Sequence, residues 1–247
     1  MRLTVVGCGD AFGSGGRAQT CFLLECDGGT LAVDFGATSL PALKRLGIAP
    51  DRLDAVVLSH LHGDHFGGLP FLLLDLHFVA RRDHPLTIVG PVGTQARIAA
   101  AMAVFFPGAP GGPWRFPLTI VDLPCGQPHS LCGLEIRSTA VEHPSGAPST
   151  ALRIAGPERT FAFSGDTEWT DALFAVARGA DLYVTECYTF DTPTPYHLDF
   201  RTIDANRDRL GARRILLTHM SDMALAHLPE MQAKGYVTAH DGLVLDL

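Results

Sequence analysis

The feature that most constrains this chain is a cluster of histidine and aspartate that directly follows a buried strand. Residues 55–59, Ala-Val-Val-Leu-Ser, form a continuous apolar run, which is typical of a strand covered on both faces. The sequence His60-Leu-His-Gly-Asp-His65 comes next, with Phe-Gly-Gly behind it. A surface loop that happens to be rich in these residues is the alternative. Four such side chains at the end of a buried strand favour a metal site instead.

Two metal positions are predicted within this one loop. Side chains two positions apart on a strand share a face, so His60 and His62 are placed to chelate one ion together. The bend at Gly63 then turns Asp64 and His65 toward a different point. Imidazole and carboxylate ligands without thiolate suit zinc, with manganese or iron as substitutes.

The composition indicates a folded chain with a sizeable core. Of the 247 residues, 47% are hydrophobic and 18% are charged, which excludes a disordered chain. The net charge of −7 argues against a protein that coats nucleic acid, although it leaves room for a small nucleotide.

The six cysteines form no CxxC pair, so we expect reduced thiols and a cytoplasmic location. No apolar run approaches the roughly 20 residues of a membrane span, so no membrane partner is expected.

Strands with helices interspersed along the whole chain predict one layered α/β domain over residues 1–247, with helices outside the sheets. Strands are predicted at residues 3–6, 20–26, 30–34, 55–59, 86–89, 118–121, 134–142, 149–154, 160–164, 182–185 and 215–218, with extended residues at 236–247. Helices are predicted at residues 39–46, 71–80, 94–106, 170–177 and 203–210.

The histidine-rich loop resembles the HxHxDH motif of the metallo-β-lactamase superfamily, which is a highly specific short metal motif. Three further segments match that family in the expected order, and each places a candidate ligand beyond a strand. They are His143 in Val141-Glu-His-Pro, Asp166 in Phe161-Ala-Phe-Ser-Gly-Asp-Thr, and His219 in Ile215-Leu-Leu-Thr-His. The resemblance covers nearly the whole chain.

The resemblance implies a four-layer αββα sandwich with two metal ions, expected to be Zn²⁺, at one edge of the sheets. It also implies how seven ligands divide between the ions: His60, His62 and His143 for the first, Asp64, His65 and His219 for the second, and Asp166 as the bridge. Two ions about 3.5–4 Å apart lower the pKa of a shared water toward ~7. A metal-bridging hydroxide is therefore the expected nucleophile at neutral pH.

Within the superfamily, the sequence is similar to the ribonuclease Z and phosphodiesterase branch. The segments Phe163-Ser-Gly-Asp-Thr, Gly90-Pro-Val-Gly-Thr and Thr185-Glu-Cys carry this similarity, and His197 follows the last of them. In that branch a glutamate and histidine pair helps to protonate the leaving oxygen. The resemblance thus implies His197 as proton donor or phosphate ligand, with Glu186 orienting it. We also expect a secondary role for Asp64, as acceptor of a proton from the attacking water. A solvated loop histidine is the alternative for His197.

The departures from this branch bear on the substrate. Ribonuclease Z proteins usually carry a protruding arm, rich in glycine and basic residues, that grips the elbow of transfer RNA. Here the corresponding residues 107–117 contain one arginine, Arg115. Together with the net acidity this makes a large folded RNA a poor candidate. Trp114 and Phe116 in this stretch either cover a flat group or anchor an ordinary surface connection.

The sequence therefore predicts a dinuclear metal-dependent hydrolase acting on small or nucleotide phosphodiesters. Three alternatives stay open: activity like that of a tRNA 3′-processing endoribonuclease, hydrolysis of a lactone, thioester or β-lactam in the same site, and a non-catalytic binding protein. A two-iron redox protein is disfavoured because such family members tend to replace the second histidine of the motif with an acid. This chain keeps His62. The oligomeric state is open, with a homodimer among the options.

Overall fold

The computed structural model of the protein describes residues 1–110 and 112–247, and these residues form two seven-stranded sheets. In spatial order, the first sheet contains β14 (Val244–Asp246), β1 (Arg2–Gly7), β2 (Cys21–Cys26), β3 (Gly29–Val33), β4 (Ala55–Val57), β5 (Leu86–Gly90) and β6 (Leu118–Asp122). The second contains β13 (Val237–Thr238), β12 (Ile215–Thr218), β11 (Leu182–Glu186), β10 (Thr160–Phe163), β9 (Thr150–Ala155), β8 (Leu134–Ala140) and β7 (Pro128–Leu131).

Each sheet has an antiparallel half and a parallel half. In the first sheet β14, β1, β2 and β3 pair antiparallel, whereas β3, β4, β5 and β6 pair parallel. In the second sheet β7 to β10 pair antiparallel, and β10 to β13 pair parallel. The carboxyl ends of parallel strands meet at one edge of a sheet, where ligand sites are usually built.

Helices cover the outer face of each sheet. On the first sheet the main ones are α1 (Ser39–Arg45), α2 (Gly63–Phe66), α3 (Leu69–Leu74) and α4 (Thr94–Phe105). On the second they are α5 (Ala172–Ala177), α6 (Phe200–Ala205), α7 (Arg207–Leu210), α8 (Asp222–Leu225) and α9 (Leu228–Ala233). A π-helical turn, Asp75–Val79, continues α3.

Because successive side chains of a strand point to opposite faces, the apolar side chains form one inner core between the sheets and two outer cores beneath the helices. In β2, Phe22 and Leu24 enter the cluster between the two sheets, whereas Cys21 and Leu23 face the helices. Strand β10 repeats this pattern, with Phe161 directed inward. A sheet with apolar side chains on both faces must be covered on both. The predicted αββα sandwich is therefore confirmed.

Several predicted element bounds were wrong for identifiable reasons. Strand β4 ends at Val57 because the backbone N–H of Ser59 donates to the Asp34 carboxylate, at 2.7 Å, instead of joining the sheet. The sequence analysis did not predict β7, α2, α8 or α9. The Ser221 side chain caps α8 and a proline stands in the first turn of α9, and both are helix-start signals.

Among the described residues, none of the helices combines the length and apolar character that crossing a membrane would require.

The contact between Phe22 and Phe163 joins the two sheets and can be tested. Both side chains are buried, and their rings meet edge to face with centroids 5.4 Å apart. Substitution Phe22→Ala should lower the free energy of unfolding by about 3–5 kcal/mol, because it leaves a cavity between the sheets. Chemical denaturation measures this change. The control Val104→Ala removes apolar atoms from a side chain that is 75% exposed and should change stability by less than about 0.5 kcal/mol. A loss for Phe22→Ala no larger than that of the control would contradict this packing.

Candidate metal centre

The strand ends at one edge of the sandwich bring all seven predicted ligands into one place. They form two groups in which the potential ligand atoms lie within 4.8 Å of one another. The first group contains His60, His62 and His143, and the second contains Asp64, His65, Asp166 and His219. His60 to His65 follow β4, His143 follows β8, Asp166 follows β10 and His219 follows β12.

The first group is a set of three imidazoles. Nδ1 of His62 lies 3.0 Å from Nε2 of His143. The ring of His60 lies within 5.0 Å of both other rings, measured between centroids. Its Nε2 is buried and has no hydrogen-bond partner among the described residues.

The second group alternates carboxylates and imidazoles. Nε2 of His219 lies 3.2 Å from Oδ2 of Asp64, and Nε2 of His65 lies 3.2 Å from Oδ2 of Asp166. All four side chains of this group are buried. Buried carboxylates and imidazoles at this spacing are costly unless they are paired or hold a cation.

Asp166 connects the two groups. Its Oδ2 lies 3.2 Å from His65 and 3.4 Å from His219, measured to Nε2 of each ring. The same oxygen lies 3.8 Å from Nε2 of His60 and 3.9 Å from Nε2 of His143. One carboxylate oxygen therefore faces ring nitrogens of both groups, which is the placement that a bridging ligand needs.

Hydrogen bonds to the outer ring nitrogens orient three of these histidines. Nδ1 of His65 donates to Asp34 at 2.7 Å, and Nδ1 of His143 donates to the backbone carbonyl of Tyr196 at 2.9 Å. The hydroxyl of Ser59 donates to Asp34 and lies 3.1 Å from Nδ1 of His60, so it can accept that proton. Each bond fixes a tautomer that leaves Nε2 free to bind a metal.

Asp34 is the residue of this centre that the sequence analysis missed. It is fully buried, and its carboxylate accepts hydrogen bonds from His65, from the Ser59 hydroxyl and from the Ser59 backbone N–H. It thereby supports ligands of both groups. The available signal was its position directly after β3, which lies parallel to β4 in the same sheet.

Unusual backbone geometry aims several of these residues at the centre. Asp34 and His219 each follow a strand and adopt positive φ angles of 58° and 56°. A left-handed conformation costs about 1–2 kcal/mol for a residue with a side chain. Gly165, just before Asp166, has a φ of 60°, and a Cβ there would lie 2.6 Å from the carbonyl oxygen of Thr150. Strained backbone of this kind concentrates at functional sites.

The electrostatics of the two groups differ. Burial lowers the pKa of His60, His62 and His143, which favours the neutral imidazole that binds metal. Burial also opposes charge on His65 and His219, but the carboxylates of Asp166 and Asp64 outweigh it and raise the pKa of both rings.

The same contacts lower the pKa of the two carboxyl groups, Asp166 and Asp64. Burial opposes their ionisation, yet His219 and His65 hold the pKa of Asp166 well below its usual value. His65 and His219 likewise lower the pKa of Asp64. The carboxylates that attract protons onto these rings would attract a divalent cation in the same way.

The donor set fits the metals that the sequence predicted. Nε2 of His60, Nε2 of His65 and Oδ1 of Asp166 are buried and lack hydrogen-bond partners within the described residues. Buried polar atoms are almost always satisfied, so these three atoms fit a role as ligands of a cation. Imidazole and carboxylate donors suit zinc, manganese or iron.

Glu186 and His197 lie beside this centre as a hydrogen-bonded pair. Nδ1 of His197 lies 2.9 Å from Oε2 of Glu186, which is fully buried at the end of β11. The His197 ring stacks against His219 with centroids 5.8 Å apart, and its side chain is 21% exposed. Burial and the charge of Asp166 raise the pKa of Glu186 well above its usual value, whereas burial lowers the pKa of His197. The bond occupies Nδ1 and leaves Nε2 of His197 available to a substrate.

The aromatic residues of the 107–117 stretch lie elsewhere. Phe116 is 3% exposed and belongs to the core beneath the helices of the first sheet. Trp114 packs against it, with ring centroids 5.8 Å apart. Both rings therefore anchor the stretch rather than cover the centre. Gly111 lies outside the described residues.

Comparison with known proteins agrees with this geometry. The family described as the beta-lactamase superfamily domain matches residues 32–220. The uncharacterized protein ML1173 of Mycobacterium leprae is 34% identical over 234 residues, covering 89% of this chain and 78% of that protein. Ribonuclease Z of Mycobacterium bovis BCG is 26% identical over 242 residues, covering 89% of this chain and 85% of that protein.

Solved structures show the same fold. Human tRNase Z, short form, superposes with a TM-score of 0.80 at 22% sequence identity, covering 100% of this chain and 99% of that chain. The chain belongs to the beta-lactamase superfamily, as a metal-dependent hydrolase of the metallo-β-lactamase fold on the ribonuclease Z and phosphodiesterase branch.

Proposed function

We propose that this protein is a dinuclear phosphodiesterase that acts on small or nucleotide phosphodiesters. The observation that carries the proposal is the position of Asp166, whose Oδ2 lies between 3.2 and 3.9 Å from imidazole nitrogens of both ligand groups. Such a carboxylate suits a pair of ions rather than one. Two-metal centres of this type serve the displacement reactions of phosphate esters.

The proposed centre divides its ligands as the resemblance implied. One zinc ion would be held by His60, His62 and His143, the other by Asp64, His65 and His219, with Asp166 shared. Two divalent ions there would lower the pKa of a shared water and offset negative charge on the phosphoryl oxygens. Manganese or iron would satisfy the same donors.

Side chains of the protein would donate and accept the protons of this reaction. His197 would donate a proton from Nε2 to the leaving oxygen, while Glu186 holds the ring through Nδ1. Because Glu186 is buried and also accepts from the backbone N–H of Thr167, it cannot swing away from the ring. Asp64 would have a second role as acceptor of a proton from the attacking water.

Small substrates are favoured over folded RNA. The stretch at residues 107–117 is short and carries one arginine, and the chain has a net charge of −7. Tight binding of a folded RNA usually needs several cationic contacts to phosphates. The similarity to ribonuclease Z makes tRNA 3′ processing the second candidate.

A substrate panel tests the proposal. The zinc-loaded protein should hydrolyse bis-p-nitrophenyl phosphate, and it should act weakly or not at all on p-nitrophenyl acetate, a lactone and nitrocefin. Substitution Asp166→Asn should lower the phosphodiesterase kcat by at least about 100-fold, because the amide is a poor bridging ligand. The control Asp83→Asn changes a carboxylate that is 97% exposed and should leave kcat unchanged.

Two outcomes would overturn this assignment, the second of them from an added assay with a precursor tRNA, dinucleotides and cyclic nucleotides. Activity on carboxyl substrates with none on phosphodiesters would move the protein to another reaction class. Cleavage of a precursor tRNA with no activity on dinucleotides or cyclic nucleotides would favour the second candidate.

The support from Asp34 predicts a specific change in metal affinity. Substitution Asp34→Asn keeps the shape of the side chain but weakens its hold on His65 and Ser59. Metal affinity should fall by about 10–100-fold, as is usual for residues that orient metal ligands. A titration with a competing chromogenic chelator measures this change. An affinity equal to that of the unchanged protein would show that Asp34 has only a structural role.

The role of His197 is tested by the dependence of the rate on the leaving group. Substitution His197→Gln should lower kcat by about 10²–10⁴-fold for a substrate with an alkoxide leaving group, which needs a proton. The loss should be much smaller for p-nitrophenolate, which leaves without one. Substitution Glu186→Gln should show the same pattern with a smaller loss of kcat. The control is His240→Gln, because His240 is exposed. Equal losses for both leaving groups would exclude proton donation.

A further inference from the structure

A cleft of about 520 Å³ opens beside the metal centre. Small-molecule sites usually occupy clefts of roughly this size. The residues that line it come from the loop after β1, the turn after β3, and helices α2, α3 and α4: Ala11, Gln19, Ala37, Gly63, Asp64, Gly67, Phe71 and Phe105. Because Asp64 is one of the seven candidate ligands, the cleft borders the centre.

The helical path of the chain sets the length of this cleft. Gly67 and Gly68, which separate α2 from α3, both have right-handed helical dihedral angles, so the chain keeps a right-handed path between the helices, although the N–H of Gly68 donates to the carbonyl of Phe35. Asp64 and Phe71 are seven residues apart and therefore share a face. At a rise of about 1.5 Å per residue, they are separated by about 10 Å along the helix axis. A molecule with one end at the metal centre can thus reach Phe71 with the other.

The far end of the cleft presents two exposed aromatic rings. Phe71 is 42% exposed and Phe105 is 52% exposed, and their ring centroids lie 6.0 Å apart at an angle of 37°. The rest of the lining consists mainly of small residues, among them Ala37 and Gly67. Exposed apolar surface next to a polar centre is typical of a ligand-binding groove.

We infer that this cleft holds the base of a nucleotide phosphodiester, stacked on Phe71 and Phe105, while the phosphate lies at the metal centre. This inference rests on the proposed phosphodiesterase function and specifies its substrate. Aromatic rings bind the flat face of any base by stacking, and each stack contributes measurably to affinity. Gln19 donates from Nε2 to the carbonyl of Ala11 at 3.0 Å and so holds the loop that forms the opposite wall.

Calorimetric binding to the zinc-loaded protein tests the inference with adenosine 5′-monophosphate, ribose 5-phosphate and inorganic phosphate as probes. The nucleotide should bind more tightly than ribose 5-phosphate. In Phe71→Leu and Phe105→Leu its affinity should fall by about 5- to 100-fold, with little change for inorganic phosphate. Phe78→Leu is the matched control, since Phe78 is 58% exposed and lies outside the cleft. Thermal unfolding confirms that each variant is folded.

The outcomes separate this inference from the proposed function. If the protein hydrolyses phosphodiesters but binds the nucleotide no better than ribose 5-phosphate, the inference is wrong and the function stands. Equal nucleotide affinity in the Phe71, Phe105 and Phe78 variants would also overturn it. So would sedimentation data in which the first two substitutions dissociate a dimer without changing nucleotide affinity. If the protein hydrolyses no phosphodiester, the proposed function fails, whatever the calorimetry shows.

Discussion

The arrangement depends on one carboxylate that faces imidazoles from three separate parts of the chain. Oδ2 of Asp166 lies within 3.9 Å of ring nitrogens that follow β4, β8 and β12. These segments converge because apolar side chains of both sheets fill the space between them, as the contact of Phe22 with Phe163 illustrates. The parallel strands of both sheets then end at the same edge. The sandwich core is thus the physical cause of the cluster at that edge.

A cluster of buried acids and imidazoles opposes folding, and the rest of the structure must offset its cost. Asp34 offsets part of this cost, because its carboxylate accepts hydrogen bonds from His65 and Ser59 inside the protein. The positive φ angles at Asp34 and His219 add local strain. The hydrogen bonds of Asp34 and Ser59 orient His65 and His60 before a cation arrives. Preorganisation of this kind favours binding, since less side-chain freedom is lost.

Much of the fold and of the candidate site could be predicted because the informative residues are contiguous or follow apolar strands. The six residues His60 to His65 indicate metal binding by themselves, and His219 directly follows a short apolar run. Asp34 also directly follows a strand, but its role could not be recognised from the sequence, because the residues that it binds are 25 and 31 positions away. The cleft was missed for a related reason: Phe71 and Phe105 have apolar neighbours in the sequence, and only the structure shows that both are exposed. Trp114 and Phe116 were weighed as cover for a flat group, but they pack in or against the core.

The most direct test is anomalous X-ray diffraction from crystals of the zinc-loaded protein, recorded on both sides of the zinc absorption edge. We predict two peaks about 3.5–4 Å apart, one beside His60, His62 and His143 and the other beside Asp64, His65 and His219, with the Asp166 carboxylate between them. A single peak, or two peaks of which neither contacts Asp166, would contradict the dinuclear centre and with it the proposed chemistry.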